Sequence, residues 1–254
     1  MEEHRSEIVE QFTAQAAAFA HADAIRDEAA LELLVDFAAA GAEDRVLDVA
    51  CGPGLVTCAF ARVAGAAIGI DVTPAMIDQA RAHAVQLGVT NVEWRLGDIP
   101  PLPWSEGSFE VVVSRYAFHH FEDPLAVLRE MARVCTPGGR VVVCDIAPAP
   151  GAVEAFNAMD RLRDPSHVRA FSLEELCDLY ARAELVAPRV ATYKMEGDLD
   201  SLLARSFPVP GGAEAVRRRF RASIDDDQLG VEARADGARI TYRYPIAVLA
   251  AERG

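Results

Sequence analysis

VLDVACGPG, residues 46–54, decides how this chain is read. Val46, Leu47 and Val49 make the apolar run of a short buried strand, and two glycines within three positions mark a tight turn into a helix, LVTCAFARVA at 55–64. Such a turn lets a ligand approach the backbone at the carboxyl edge of a sheet. The dinucleotide fingerprint asks for a small residue three positions after its second glycine; Thr57 stands there, so the match fails. An acid precedes the glycines instead, as Asp48-x-x-x-Gly52-x-Gly54. That arrangement suits an adenosine ligand with an ammonium group and no pyrophosphate.

Working outward, AAIGID (66–71) reads as a second strand ending in Asp71, a carboxylate placed to accept both hydroxyls of a ribose. Thr73 and Pro74 read as N-cap and first residue of the next helix. NVEWRL is a third strand, followed by RLGDIPPLPW (95–104), where Asp98 is held between a strand end and a stiff apolar turn. From that edge Asp98 would accept an adenine amine while Ile99 packs on the ring. FEVVVSR (109–115) and RVVVCDIA (140–147) are the fourth and fifth strands, with the helix DPLAVLREMARVC closed by TPGG between them. Apolar strands alternating with helices imply a parallel sheet covered on both faces. Before the first strand lie a helix with Phe12, Ala16 and Phe19 on one stripe and a second, amphipathic helix closed by Gly41. After residue 150 come two helices, a strand near LVAPRVATYKM, a mixed segment at 197–235 and a final strand, ARITYRYPIAVLAAE.

Composition narrows the classes. The 254 residues carry a net charge of −14, which repels a phosphate backbone and argues against nucleic acid as partner. VRRRFR (216–221) is followed by IDDD and reads as a solvated helix face. No apolar run reaches ~18 residues, so no membrane insertion is expected, and the acidic start MEEHRSEIVEQF is unlike a secretory signal. A cytoplasmic protein is the expectation, and a single lysine (Lys194) among many arginines suggests a bacterial, GC-rich coding sequence. Five cysteines (Cys51, Cys58, Cys135, Cys144, Cys177), with no CxxC, read as free thiols with no metal site.

VLDVACGPG, IGIDVTPAMI and RLGDIPPLPW, with FEVVVSRYAFHHFEDP and RVCTPGGRVVV, resemble the successive motifs of class I S-adenosylmethionine-dependent methyltransferases. The chain is most similar to their small-molecule group, which includes ubiquinone- and menaquinone-type C-methyltransferases. The resemblance implies an α/β, Rossmann-like, seven-stranded, mostly parallel sheet with the last strand antiparallel. It also implies one domain over 1–254: a helical cap (1–40), a cofactor-binding core (41–148), then a substrate-covering insertion and C-terminal strands (149–254). S-adenosyl-L-methionine is the implied cofactor. Position by position, Asp48 lies near its amino acid end, Gly52 and Gly54 let the methionine part pass, and Asp71 binds the ribose. Val72 and Met76 flank adenine, Asp98 and Ile99 hold the base, and Ser114 and Arg115 lie beside the methionine part. Arg115 is unusual there and is expected to pair with the cofactor carboxylate or with substrate.

Methyl transfer from a sulfonium is an in-line displacement, so the protein aligns a nucleophile and excludes water. His119, in YAFHHF, matches the resembling group and ranks first as a catalytic residue; His120 is its neighbour in the substrate region, and either could instead order the loop. RLRDPSHVR (161–169) adds His167 as a second catalytic candidate beside Arg163 and Arg169 as substrate contacts; a histidine with two arginines suits an anionic or phenolate substrate, or else the segment forms a structural turn with salt bridges. Phe12 and Phe19 are either a substrate lid or plain packing. The acceptor is expected to be a small molecule, with its nucleophilic atom (C, N or O) open. A homodimer through the N-terminal helices is possible in principle. The alternative reading is a non-catalytic protein that binds S-adenosylmethionine or S-adenosylhomocysteine.

Overall fold

The structure, a computed structural model, describes residues 2–20, 25–237 and 239–254. Five strands follow the expected rhythm: β1 (Arg45–Val49), β2 (Ala66–Asp71), β3 (Val92–Leu96), β4 (Phe109–Arg115) and β5 (Cys135–Ile146). They are joined by β6 (Arg189–Asp198), the short β7 (Arg234–Asp236) and β8 (Arg239–Glu252). The order across the sheet is β3-β2-β1-β4-β5-β8-β6, with β7 paired to β8 outside that path. β1 to β5 pair in parallel, and β8 runs antiparallel between β5 and β6. The seven-strand path and its antiparallel final strand are as the sequence implies; β7 is an addition inside the segment read only as mixed.

Alternation along the strands divides the core. Val46, Val111, Val113 and Val142 face one side, with Phe60, Phe156 and Phe220. Leu47, Val112, Val141 and Val143 face the other, with Leu128, Met131 and Tyr180. A strand residue and its neighbour point to opposite faces, so a strand buried on both must be apolar throughout. The first layer is built by α2 (Glu28–Ala38), α3 (Leu55–Ala61), α6 (Val153–Arg163), α8 (Leu199–Arg205) and α9 (Gly212–Ala222); α5 (Pro124–Val134) and α7 (Leu173–Arg182) build the second. Each large side chain such as Met131, with no exposed surface, contributes ~1.5–3 kcal/mol by leaving water.

Several local expectations are corrected. α2 starts on Asp27, whose carboxylate accepts from the Ala29 and Ala30 amides, and it closes on Ala39 in the left-handed region at φ 50°, two residues before Gly41. Thr73 precedes α4 (Pro74–Leu87) but makes no side-chain cap, and its buried Oγ1 has no partner. The Asp71 carboxylate takes the Thr73 amide instead. TPGG does not end the chain's run into β5: Cys135 already pairs with Phe109, and the next pair is Val111 with Arg140, leaving Thr136–Gly139 as a bulge. No helix among the described residues is long and apolar enough to cross a membrane.

Candidate active site

The register aligns the strand ends. Val49 pairs with Ile70 and Asp48 with Val113, so Gly52, Asp71 and Arg115 leave the sheet at one edge, and Asp98 follows β3 alongside. A cavity of about 700 Å³ opens there, within the usual range for small-molecule sites. Asp71, Gly52, Val72, Met76, Asp98 and Ile99 line it, as the sequence reading placed them, together with Arg115, Phe12 and His120.

Asp71 is oriented by two backbone donors, the Gly52 amide at 2.9 Å and the Thr73 amide at 2.8 Å. Burial raises its pKa and these bonds oppose the rise. Gly52 has φ 50°, and a Cβ built there would meet nothing within 4 Å, so the glycine leaves space beside Asp71. Asp98 makes an ion pair with Arg5 of α1 (Glu2–Ala20). Both side chains are more than half exposed, so the pair contributes at most ~1 kcal/mol.

α1 forms the roof. His4, Ile8 and Phe12 fall four residues apart on one helix face and line the cavity with Arg5. The His4 Nε2–H donates to the carbonyl of His120 at 2.8 Å, and Phe12 meets the His120 ring edge-on at 5.0 Å. The sequence reading took Phe12, Ala16 and Phe19 as the stripe. Ala16 is in the core, the Phe19 side chain lies outside the described residues, and the 4–8–12 spacing was the signal for the roof that went unread.

The two histidines exchange places relative to expectation. They share a short 3-10 turn, Phe118–His120. His119 is not in the cavity wall: its Nδ1–H donates to the Asp145 carboxylate at 2.6 Å. Burial works against the charged imidazole, but Asp145 outweighs it and raises the His119 pKa, while the Asp145 value is lowered. His120 does line the cavity. Its Nδ1 lies 3.0 Å from the Ser166 carbonyl and 3.1 Å from Ser166 Oγ, and Ser166 Oγ donates to Asp164 at 2.6 Å. A carbonyl only accepts, so Nδ1 carries the proton and Nε2 is left as an acceptor. Burial, and then the neighbouring charge of His119, push the His120 pKa down to about 3.

RLRDPSHVR braces this turn and does not reach the cavity. The Val168 and Arg169 amides both donate to the His119 carbonyl. Arg163 grips Asp160 through Nε and Nη2 at 2.6 and 2.8 Å. His167 Nε2 is 2.6 Å from Asn157 Oδ1, and its Nδ1 lies 2.9 Å from Asp160 without hydrogen-bond alignment. Arg169 joins Glu154 to Glu175. The expected catalytic role of His167 and the substrate contacts of Arg163 and Arg169 are therefore corrected to support: the two arginines are spent on buried or bridging ion pairs, and His167, whose pKa burial lowers, on its bond to Asn157.

Three further residues expected at the cofactor stand behind the wall. Asp48 accepts a 2.6 Å bond from Thr57 Oγ1 and is fully buried, which pushes its carboxyl up to about 7. Gly54 has φ 77°, and a Cβ there would lie 2.5 Å from Trp94 Cη2; its job is close packing. Ser114 Oγ donates to the Val49 carbonyl at 2.8 Å, tying β4 to β1. Arg115 remains in the wall, stacked 4.2 Å over the ring of Tyr116.

A parallel sheet in this order, with an acid after β2, another after β3 and an open glycine turn after β1, is that of a Rossmann-like enzyme binding a nucleoside at its carboxyl edge. A family described as a methyltransferase domain matches residues 41–198, and the chain belongs to it: it is an S-adenosylmethionine-dependent methyltransferase. It is 36% identical over 191 residues to the uncharacterized methyltransferase YcgJ of Bacillus subtilis, covering 74% of each chain. The crystal structure of YcgJ superposes with a TM-score of 0.81 at 29% identity, over 89% of this chain and 99% of that one. A ubiquinone biosynthesis O-methyltransferase of Xanthomonas euvesicatoria is 34% identical over 109 residues, 42% of this chain and 45% of its own length. Geranyl diphosphate C-methyltransferase of Streptomyces coelicolor, solved with S-adenosyl-L-homocysteine, shares the fold at a TM-score of 0.64 and 19% identity, over 90% of this chain and 79% of that one.

Proposed function

We propose that this enzyme transfers the methyl group of S-adenosylmethionine to an N–H or O–H group of a small molecule held in the roofed cavity. The observation that carries this reading is that Asp71, Asp98 and His120, whose Nε2 is left as an acceptor, line one cavity. The residues fit the cofactor: Gly52 leaves open space next to the pinned Asp71 carboxylate, and a buried Arg115 Nε lacks a partner. Asp71 would hold the ribose hydroxyls, Asp98 the base amine, and Val72, Met76 and Ile99 the ring. S-adenosylmethionine, when bound, supplies a methyl carbon on a positive sulfur that leaves as a neutral thioether.

His120 orients the acceptor. With a pKa near 3, Nε2 stays unprotonated throughout neutral pH and receives the X–H of the nucleophile. At an O–H acceptor the developing oxonium is far more acidic than the imidazolium, so this weak base suffices to take the proton as the bond forms, whereas a neutral amine acceptor attacks through its lone pair and keeps its proton as the methylammonium until it leaves to solvent. The α1 roof and the apolar side chains Ile8 and Phe12 exclude water from the displacement.

Calorimetric titration of ligand-stripped protein with S-adenosylmethionine, S-adenosylhomocysteine and NADH tests the cofactor. Micromolar binding of the first two without NADH is expected. Asp71→Ala should weaken both on the order of 100-fold, the loss of two charge-assisted hydrogen bonds; unchanged affinity overturns the assignment. Labelled-methyl transfer to a panel of phenols and amines then reads the acceptor. Tight binding with no transfer to any of them favours the non-catalytic alternative.

A further inference from the structure

Two buried residues of RLRDPSHVR stand behind the cavity wall and have had no role so far. Asp164 is 2% exposed and Ser166 fully buried. The Asp164 carboxylate accepts from the Ser166 amide at 3.0 Å and from the Ser166 hydroxyl at 2.6 Å, both at Oδ1. Pro165 between them presets the turn, and the amide bond alone closes it. The hydroxyl bond is additional. With its proton given to Asp164, Ser166 Oγ offers only lone pairs to its other neighbour, His120 Nδ1 at 3.1 Å. The Nδ1–H is thus shared between the Ser166 carbonyl and hydroxyl. A line of hydrogen bonds runs from a buried carboxylate to the imidazole in the cavity wall.

The charges around His120 give that line a use. Its ring centroid lies 4.1 Å from that of His119, whose charged form Asp145 supports. A proton gained by His120 therefore meets a like charge on one side, and Asp164 supplies the opposite charge. Burial works against the ionised Asp164, but Arg163, His120 and the Ser166 hydroxyl outweigh it and lower its pKa, so the carboxylate stays ionised. Gln15 of α1 donates to its other oxygen at 3.4 Å, and Arg163 Nη1 lies 3.6 Å from the same atom. An acid that orients an imidazole and steadies its cation, without being protonated itself, is a general arrangement for a base. Here a serine hydroxyl stands between the two, and such a chain polarises along its length. We propose that Asp164 and Ser166 are positioning residues of the transfer: the Ser166 hydroxyl carries the field of the Asp164 carboxylate to His120 Nδ1 and steadies the imidazolium formed when Nε2 takes the proton of a hydroxyl acceptor. As the oxygen–methyl bond forms and the methyl–sulfur bond gives its electron pair to sulfur, the hydroxyl proton passes to Nε2 and the Nδ1 proton stays in place. The inference rests on His120 being the group that receives the acceptor proton.

Ser166→Ala is the discriminating variant. It keeps the amide that Asp164 holds and the carbonyl that accepts from Nδ1–H, and deletes only the hydroxyl. Asp164→Asn keeps the shape and removes the charge. Imidazole nitrogen and proton NMR of the ligand-free protein, with His120→Gln to assign the signals, reads the chain without any acceptor. Wild type should show His120 protonated at Nδ1 with that proton far downfield; both variants should keep the tautomer and move the proton upfield. Transfer kinetics read the consequence. Ser166→Ala should lower kcat for a phenol on the order of 10- to 100-fold, the value of a charge-assisted hydrogen bond, with KM and nucleoside affinity little changed. It should lower kcat far less for an amine, which attacks through its lone pair. Ser166→Thr restores the hydroxyl and should recover most of the loss. A His120 proton that Ser166→Ala leaves in place, or a phenol kcat that His120→Gln lowers and Ser166→Ala does not, overturns this inference alone. Transfer to phenol that survives His120→Gln, or wild-type protein that transfers to neither class, overturns the reading of His120, and this inference with it.

Discussion

Replacing Gly54 by Ala separates a packing glycine from a ligand glycine. Gly54 is the N-cap of α3 at φ 77°, and a Cβ would lie 2.5 Å from Trp94 Cη2 and 2.9 Å from the Ala80 Cβ. The left-handed backbone alone costs an L-residue ~1–2 kcal/mol, and forcing a methyl into a filled site a further ~1–3 kcal/mol. A loss of ~2–5 kcal/mol lowers the melting temperature of a chain this size by roughly 4–20 °C. Gly52→Ala shares the backbone cost, φ 50°, but its Cβ meets no protein atom. It should therefore melt close to the lower end of that loss and instead weaken S-adenosylhomocysteine binding. Thermal melting and calorimetric titration of both variants read the contrast. Trp94→Phe in the Gly54→Ala background removes the clashing Trp94 atoms but not the Ala80 contact, and should recover part of the loss, ~1 kcal/mol, as coupling. If Gly54→Ala melts with wild type but no longer binds the nucleoside, the packing argument is wrong and Gly54 belongs to the ligand.

Other perturbations probe the buried ionisable groups. His120→Ala should cut methyl transfer by roughly 10²–10⁴-fold with nucleoside affinity retained. His119→Ala should instead destabilise by ~3–5 kcal/mol, because Asp145 is left buried and unpaired; equal effects of the two on kcat and on melting would refute the division of roles. The His119–Asp145 pair stabilises most between two limits: the Asp145 share is lost as pH falls through its lowered pKa, and the His119 share is fully present below about 6.5 and lost as pH rises through its raised value. Asp48 acts in the opposite sense. With its pKa raised from 3.8 to about 7, ionisation opposes folding above neutrality, so Asp48→Asn should raise stability at pH 8 by up to ~4 kcal/mol and by progressively less towards pH 4; a gain independent of pH refutes this. Arg5→Ala removes only an exposed ion pair and should shift the melting temperature by no more than about 3 °C.

What could be read from the sequence was what local chemistry controls. Each of β1, β2 and β3 has a glycine and an acid at or near its carboxyl end, so Gly52, Asp71 and Asp98 could be read as sharing one edge of the sheet, and in the structure they line one cavity. The pair His119 and His120 was not separable. In a 3-10 turn successive side chains diverge by about 120°, so one of two adjacent histidines must turn away, and only the tertiary partners Asp145 and Ser166 decide which. The same holds for Arg163 and Arg169, whose charges look available in sequence and are consumed by Asp160, Glu154 and Glu175 once the chain folds, and for His167, which Asn157 claims. Asp48 and Gly54 were read as ligand contacts because they flank the turn. Thr57 and Trp94, which claim them, lie 9 and 40 residues further along.

The insertion of β8 between β5 and β6 sets an order of assembly during synthesis. β5 is complete at Ile146, but its partner begins only at Arg239, and β6 has no other neighbour in the sheet. At translation speeds of about 5–20 residues per second, the 92 residues between them take roughly 5–20 s to emerge. For that interval the nascent sheet ends in an unpaired, apolar edge of the kind that recruits other chains. Substitutions along β8 that slow its docking should thus appear as lost soluble yield in the cell, even where the purified enzyme melts and turns over normally.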